Sequence, residues 1–269
     1  MYEKTQKRNP HKLTIDQHVF PRKSIERFTG GGRTVQVFEV CRKRILNLSP
    51  KEEMFCAKRV WDQKTETVFV KTVETPFQEI VNRIVFGELL KIGFFEKRVI
   101  DSYFALWNAR HEMRTDRPAD FKTAYADDAT SSLDADSMES LEKSGIMFTG
   151  SDGVFSSRFV AGIHIQSYIM SFIKMAKNKR WGIVRAAQGE FIVPDSFNGI
   201  PAIPVTPKII LLLDHDDGVA SLEDVITINM TAVASSYKYY FARHLAACPI
   251  VMDKGCEWRY TIGSLYNPQ

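Results

Sequence analysis

No stretch of this chain approaches the roughly 18–20 consecutive apolar residues that a membrane-spanning helix requires. The longest aliphatic run, Ile209-Ile210-Leu211-Leu212-Leu213, has the length of a core strand. The first residues, MYEKTQKRNPHK, lack the apolar segment of a secretory signal. A cytoplasmic protein with no membrane partner is therefore expected. Cysteine is scarce: Cys41, Cys56, Cys248 and Cys256 form no C-x-x-C pair, and no histidine stands at zinc-finger spacing from them. Reduced thiols are expected in place of disulfides or structural zinc. The chain also lacks a P-loop, a His-Glu-x-x-His and a Gly-x-Ser-x-Gly. Nucleotide hydrolysis, zinc proteolysis and the usual esterase arrangement thus have no motif to stand on. Nor does any part gather the several acids that two-metal nucleases converge on their ions, so the expected chemistry is metal-independent and without a cofactor.

What the chain does carry is an ordinary globular composition, 44% hydrophobic over 269 residues, ample for a core. The net charge of +4 hides an asymmetry. Residues 1–64 hold 15 Lys and Arg against 7 Asp and Glu, and the remainder holds 21 against 25. A basic N-terminal quarter of this kind can neutralise phosphates, although a solvated basic surface has the same composition.

The pattern divides the chain into a flexible basic arm (1–16), a single α+β domain (17–252) and a C-terminal tail (253–269). Pro21 opens a short helix over 22–28, and Gly30-Gly31-Gly32 breaks it. Two strands follow, 34–41 and 43–48, forming a hairpin with Arg42-Lys43-Arg44 near its turn. Ser49-Pro50 suits the start of a helix towards residue 60. Phe77, Ile80, Val81 and Ile84 have helical spacing, and residues 94–114 form a second long helix. Residues 116–142 are acidic and rich in small residues, an excursion with one short helix near its end. Helix resumes over 154–176. Strands are expected at 181–187, 190–193 and 209–213, then a helix from the Ser221-Leu222-Glu223-Asp224 capping box to about residue 246, and a last strand at 248–252. Helices followed by antiparallel strands imply an α+β fold: a mostly helical N-terminal and middle part with a small basic hairpin, an antiparallel sheet in the C-terminal half, all packed as one layered domain.

The most informative segment is Gly189-Glu190-Phe191-Ile192-Val193-Pro194-Asp195-Ser196, an apolar strand ending on an acid and a hydroxyl. A carboxylate at a strand end sits at the rim of a core, where binding and chemistry are built. Asp195 is therefore the first candidate catalytic residue. His18, just before the helix-starting Pro21, and Glu74, before a helix, join it. Arg110, Asn108, Asn229, Ser196 and Phe197 are candidates for holding substrate, Phe197 as a stacking ring. Arg22, Lys23, Arg42, Lys43 and Arg44 are candidates for backbone phosphates. Asp214-His215-Asp216-Asp217 superficially resembles a metal cluster, but consecutive turn residues point apart. Arg158 and His164 have the spacing found in a helical class of ribonucleases, with an apolar Phe159 where a polar residue is usual.

Several of these features recur in a fixed order: His18-x-x-Pro21 with its short helix and hairpin, Glu74, Arg110 on the second long helix, the Trp181 strand, the 189–196 turn, Pro204-x-x-Pro207 before an aliphatic strand, and Asn229 in the last helix. Over residues 16–248 this order resembles the bacterial family catalogued as domain of unknown function 4238. Members of that family tend to show Asp-x-Pro at the strand end, whereas here Asp195 is followed by Ser196 and Phe197. The resemblance implies a fold and a residue set, not a reaction.

The expectation drawn from these residues is a nucleic-acid-directed hydrolase, DNA favoured, that cuts an N-glycosidic bond without metal. Asp195 would act on water or on an oxocarbenium cation, His18 would transfer a proton, and Arg110 with Asn229 would hold phosphate or base. A DNA glycosylase-like role in antiviral defence fits that chemistry. The alternatives are a non-catalytic module for a ligand or partner, a ribonuclease-type toxin, and a purely structural polar set in which Glu74 pairs with Arg110 and Asn229 caps strand ends.

Overall fold

A computed structural model describes residues 3–122, 133–150, 153–197, 201–254 and 257–261. The first half contains β1 (Asp16–His18), α1 (Arg22–Glu26), β2 (Val35–Glu39), β3 (Arg44–Leu48), β4 (Cys56–Lys58), α2 (Gln63–Phe69), α3 (Thr75–Val85) and α4 (Phe94–Thr115). The middle contains β5 (Phe121–Lys122), α5 (Ala135–Lys143), β6 (Val154–Phe155) and α6 (Arg158–Met175). The last third holds β7 (Trp181–Ala186), β8 (Val193–Pro194), β9 (Ala202–Thr206), β10 (Ile209–Leu213), β11 (Gly218–Ala220), α7 (Leu222–Ser235), β12 (Tyr239–Ala242), β13 (Ile250–Lys254) and β14 (Glu257–Thr261).

The architecture is mixed α+β. One four-stranded sheet runs β11-β7-β10-β9, antiparallel except for the parallel pair of β11 with β7. Every residue of β10 is buried, as an all-apolar strand between two others requires. The second sheet runs β3-β2-β12-β8, wholly antiparallel. The basic hairpin is thus half of a sheet that the late strands β8 and β12 complete. One contiguous apolar core joins both sheets to α3, α4 and α6. Phe20, Phe28 and Phe55 meet Phe241 of β12 within it, at ring separations of 5.6–6.1 Å.

Four expectations are corrected. The described part of the N-terminal arm is not free: Leu13 is buried, Gln6 bonds Glu139, and Glu3 pairs with the buried Arg158. The helix expected over 51–60 shrinks to one 3-10 turn at Glu53–Phe55. Its continuation becomes β4, since pairing with β1 seats Phe55 and Ala57 in the core. The last long helix ends at Ser235, and Tyr239–Ala242 becomes a strand between β2 and β8, because all four of its side chains are buried there. Finally, the Pro204 segment is a strand instead of a lead-in: β9 is an edge, where a proline's missing N–H costs no ladder bond. Of the acidic excursion, residues 123–132 lie outside the described residues, and the expected short helix is α5, capped by Asp134.

Candidate functional site

The sequence from Gln63 to Val85 forms one continuous helix whose middle, Val70–Glu74, is a π turn. Such insertions are often found at functional sites. In a regular α-helix, residues eight apart lie roughly 80° apart around the axis. The π turn absorbs one residue, so Glu66 and Glu74 behave like residues about seven apart, two near-complete turns, and share a face. That face meets Arg110 of α4, which is 1% exposed. Arg110 donates from Nη1 to Glu74 Oε1 at 2.6 Å and from Nη2 to Glu66 Oε2 at 3.3 Å. Nη1 also reaches the His18 carbonyl at 3.2 Å, and the guanidinium lies 5.1 Å from the centre of the Trp61 ring. Trp61 in turn donates from Nε1 to Glu66 Oε2 at 2.6 Å. Burial pulls the Arg110 pKa down, but the charges of Glu74 and Glu66 outweigh it and hold the guanidinium above its usual range.

Above this set opens a cavity of about 230 Å³ lined by His18, Arg22, Lys23, Glu66, Glu74 and Gln78 among others, with Arg110 at its floor. Both glutamates keep 15% of their side-chain surface exposed. His18 donates from Nε2 to the Pro50 carbonyl at 2.9 Å, which leaves Nδ1 as the ring's acceptor. Three expected residues, His18, Glu74 and Arg110, are thus brought together, with Arg22 and Lys23 at the rim. Glu66 was missed. Its only signal in the sequence is the eight-residue interval to Glu74, which reads as two faces unless the π turn is known.

The other expected members lie elsewhere, which corrects the single pocket. Asp195 is 1% exposed and lines no described cavity. Its carboxylate accepts from the backbone amides of Tyr237 at 2.8 Å and Lys238 at 2.7 Å, while its carbonyl accepts from Trp107 Nε1 at 3.1 Å. The acid at the strand end therefore anchors the turn between α7 and β12. Asn229 is fully buried. It accepts from the Ile192 amide at 2.9 Å and donates to the carbonyls of Glu190 at 2.9 Å and Pro249 at 3.1 Å, tying three chain segments together. A substrate cannot reach it.

Asn108, Ser196 and Phe197 line a second cavity of about 500 Å³ between α4, α6 and the chain after β8. Phe197 is 4% exposed and packs edge-on against Trp107, so its ring serves mainly as core. His111, a residue the sequence reading passed over, also lines this cavity, with a buried Nδ1 that has no hydrogen-bond partner. Burial lowers its pKa and so favours the neutral ring, opposed in part by the Asp195 charge.

The basic candidates are less free than their count implies. Arg42 and Arg44 both pair with Glu39, at 3.1 and 2.7 Å, and Arg22 pairs with Glu26 at 2.7 Å. Lys43 occupies the hairpin turn with φ 47°. Arg158 is buried between Glu142 and Glu3, which corrects any reading of it as a ribonuclease residue facing solvent. Among the described residues no group of three or more His, Cys, Asp or Glu is placed to hold a metal ion, and no helix is long and apolar enough to cross a membrane. Comparison of the chain with protein-family models, curated proteins and solved structures finds no match.

Proposed function

We propose that the cleft of Glu66, Glu74 and Arg110 is the active site of a hydrolase that cleaves the N-glycosidic bond of a nucleotide, free or extruded from a DNA strand. The observation that carries this reading is the pair of largely buried carboxylates, each still open to the cleft, tethered to a single buried guanidinium at its foot. Paired acids flanking one bond are the equipment of glycoside hydrolysis, where one carboxylate faces the developing oxocarbenium ion and the other handles the proton of water. Glu74 takes the water's proton as the oxygen adds to the anomeric carbon. The base departs with the bonding electron pair and is protonated at nitrogen, in net terms by the proton that Glu74 took from water, which returns Glu74 to its carboxylate form. Glu66 faces the cationic sugar. Arg110 touches neither reacting atom; it is a positioning residue that fixes both carboxylates from below. Arg22 and Lys23 at the rim suit the phosphate, as charge-assisted donors do.

The test is base release, followed by chromatography, from mononucleotides, RNA, and single- and double-stranded DNA with normal and modified bases. Glu74→Gln is expected to lower the rate by about 10²–10⁴-fold, the range of a lost general base. Base release that is absent from every substrate, or indifferent to Glu74→Gln and Glu66→Gln, removes the proposal. The rival reading, a binding module, rests on the internal compensation of Arg110 by both acids. It predicts nucleotide binding that responds to the same substitutions with no product formed.

A further inference from the structure

An apolar hollow of about 550 Å³ lies on another face of the helix that carries Glu66 and Glu74, between that helix, α4, α6 and the chain after α5. Its wall includes Val68, Phe69, Val73, Phe159, Ile163 and Met170. Ile163 and Met170 on α6 are 62% and 56% exposed. The sequence of α6 is apolar nearly all round, a pattern suited to a helix covered on every side. Among the described residues only one side is covered.

The charges around this hollow are unequal in kind. Two acids line it, and both are already partnered: Asp62 caps α2 through Thr65, and the buried Glu142 holds Arg59 and Arg158. Two cations line it, Lys64 and Arg98, and neither side chain forms an ion pair among the described residues. Gly145, at φ +75°, lets the aliphatic stem of Lys64 pass where a Cβ would collide with it, and both residues line the hollow. A mostly apolar cavity of several hundred cubic ångströms with a few placed polar groups is the general form of a small-ligand site.

We propose that this hollow binds a single-chain fatty carboxylate, the acyl chain lying against Ile163 and Met170 and the carboxylate held by Lys64, at the end of the hollow where Thr65 meets Gly162. Charge complementarity selects the anion, and the elongated apolar wall selects the chain. The hollow shares no lining residue with the acidic cleft.

The experiment is calorimetric titration of the full chain with octanoate, decanoate and dodecanoate below their micelle concentrations, beside dodecanol and anionic phospholipid vesicles. Affinity is expected to rise about tenfold for each two added methylenes, following the free energy of burying them. Lys64→Ala is expected to weaken dodecanoate at least tenfold while leaving dodecanol nearly unchanged, and Arg98→Ala, at the far end of the hollow, to change neither. Met170→Asp and Ile163→Asp, at positions already exposed to water, should abolish binding without unfolding the protein, as circular dichroism would verify. Absence of dodecanoate binding, binding indifferent to chain length or to Met170→Asp, or binding to vesicles alone overturns the proposal. Glu74→Gln should bind dodecanoate like the wild type, so this result and that for base release fail separately.

Discussion

Two acidic residues of the same strand-and-helix framework, Asp195 and Glu74, end in opposite circumstances. Both residues lie at the edge of the core and both touch α4, Asp195 through its backbone carbonyl, which accepts from Trp107, and Glu74 through its carboxylate, which accepts from Arg110. Asp195 receives two backbone amides and is sealed from water. Glu74 binds a side chain below it and opens onto a cavity above. The difference teaches that a strand-end acid is informative only once its hydrogen bonds are counted: one whose oxygens are occupied by the backbone determines shape, and one with oxygens facing space can do chemistry.

Substitution should separate the two. Asp195→Ala removes two charge-assisted hydrogen bonds, from the amides of Tyr237 and Lys238 to a buried carboxylate, at a cost of about 2–5 kcal/mol. Urea unfolding should report that loss, and activity per folded molecule should be retained. Glu74→Ala leaves Arg110 with Glu66 and the His18 carbonyl, so its stability loss is expected to be smaller, roughly 1–3 kcal/mol, while base release collapses. If the Asp195 variant folds as stably as wild type yet loses turnover, the assignment of roles is inverted.

A smaller effect should mark the Asp195 side of the comparison alone. The His111 pKa is lowered from 6.5, chiefly by burial. The unfolded chain therefore takes up a proton before the folded one as pH falls, and the stability this group contributes is present above about pH 6.5 and lost progressively below it. The slope of melting temperature between pH 7.5 and 5 should flatten in His111→Asn. An unchanged slope in His111→Asn would mean that the neighbouring Asp195 charge offsets the burial completely.

The sequence made the fold class legible because helical spacing at Phe77, Ile80, Val81 and Ile84, and the unbroken run of β10, are local patterns. It misread Tyr239–Ala242 as helix because that segment's strand character comes from partners about 200 residues earlier in β2. Of the site, Glu74, Arg110 and His18 could be named from their places on elements. Glu66 could not, because its alignment with Glu74 depends on the π turn, and no residue pattern within Val70–Glu74 announces one. Asp195 and Asn229 were overvalued for a common reason: polar residues that bind buried backbone and polar residues that bind substrate look alike until the backbone is folded around them.

The smallest expected effect bears on the substrate. If the acidic cleft takes a nucleotide within a strand, Lys23 at the rim is the cation best able to meet a phosphate, because Arg22 is engaged by Glu26 and the hairpin arginines by Glu39. Each neutralised phosphate contributes about 0.7–0.9 to the slope of log affinity against log salt concentration. Lys23→Ala should therefore lower that slope by about one and weaken binding similarly for every sequence tested. Arg42→Ala and Arg44→Ala should change it less, since Glu39 already compensates their charge. A steep salt dependence carried by the hairpin and untouched by Lys23→Ala would separate strand binding from the cleft, leaving the two glutamates to act on a free nucleotide.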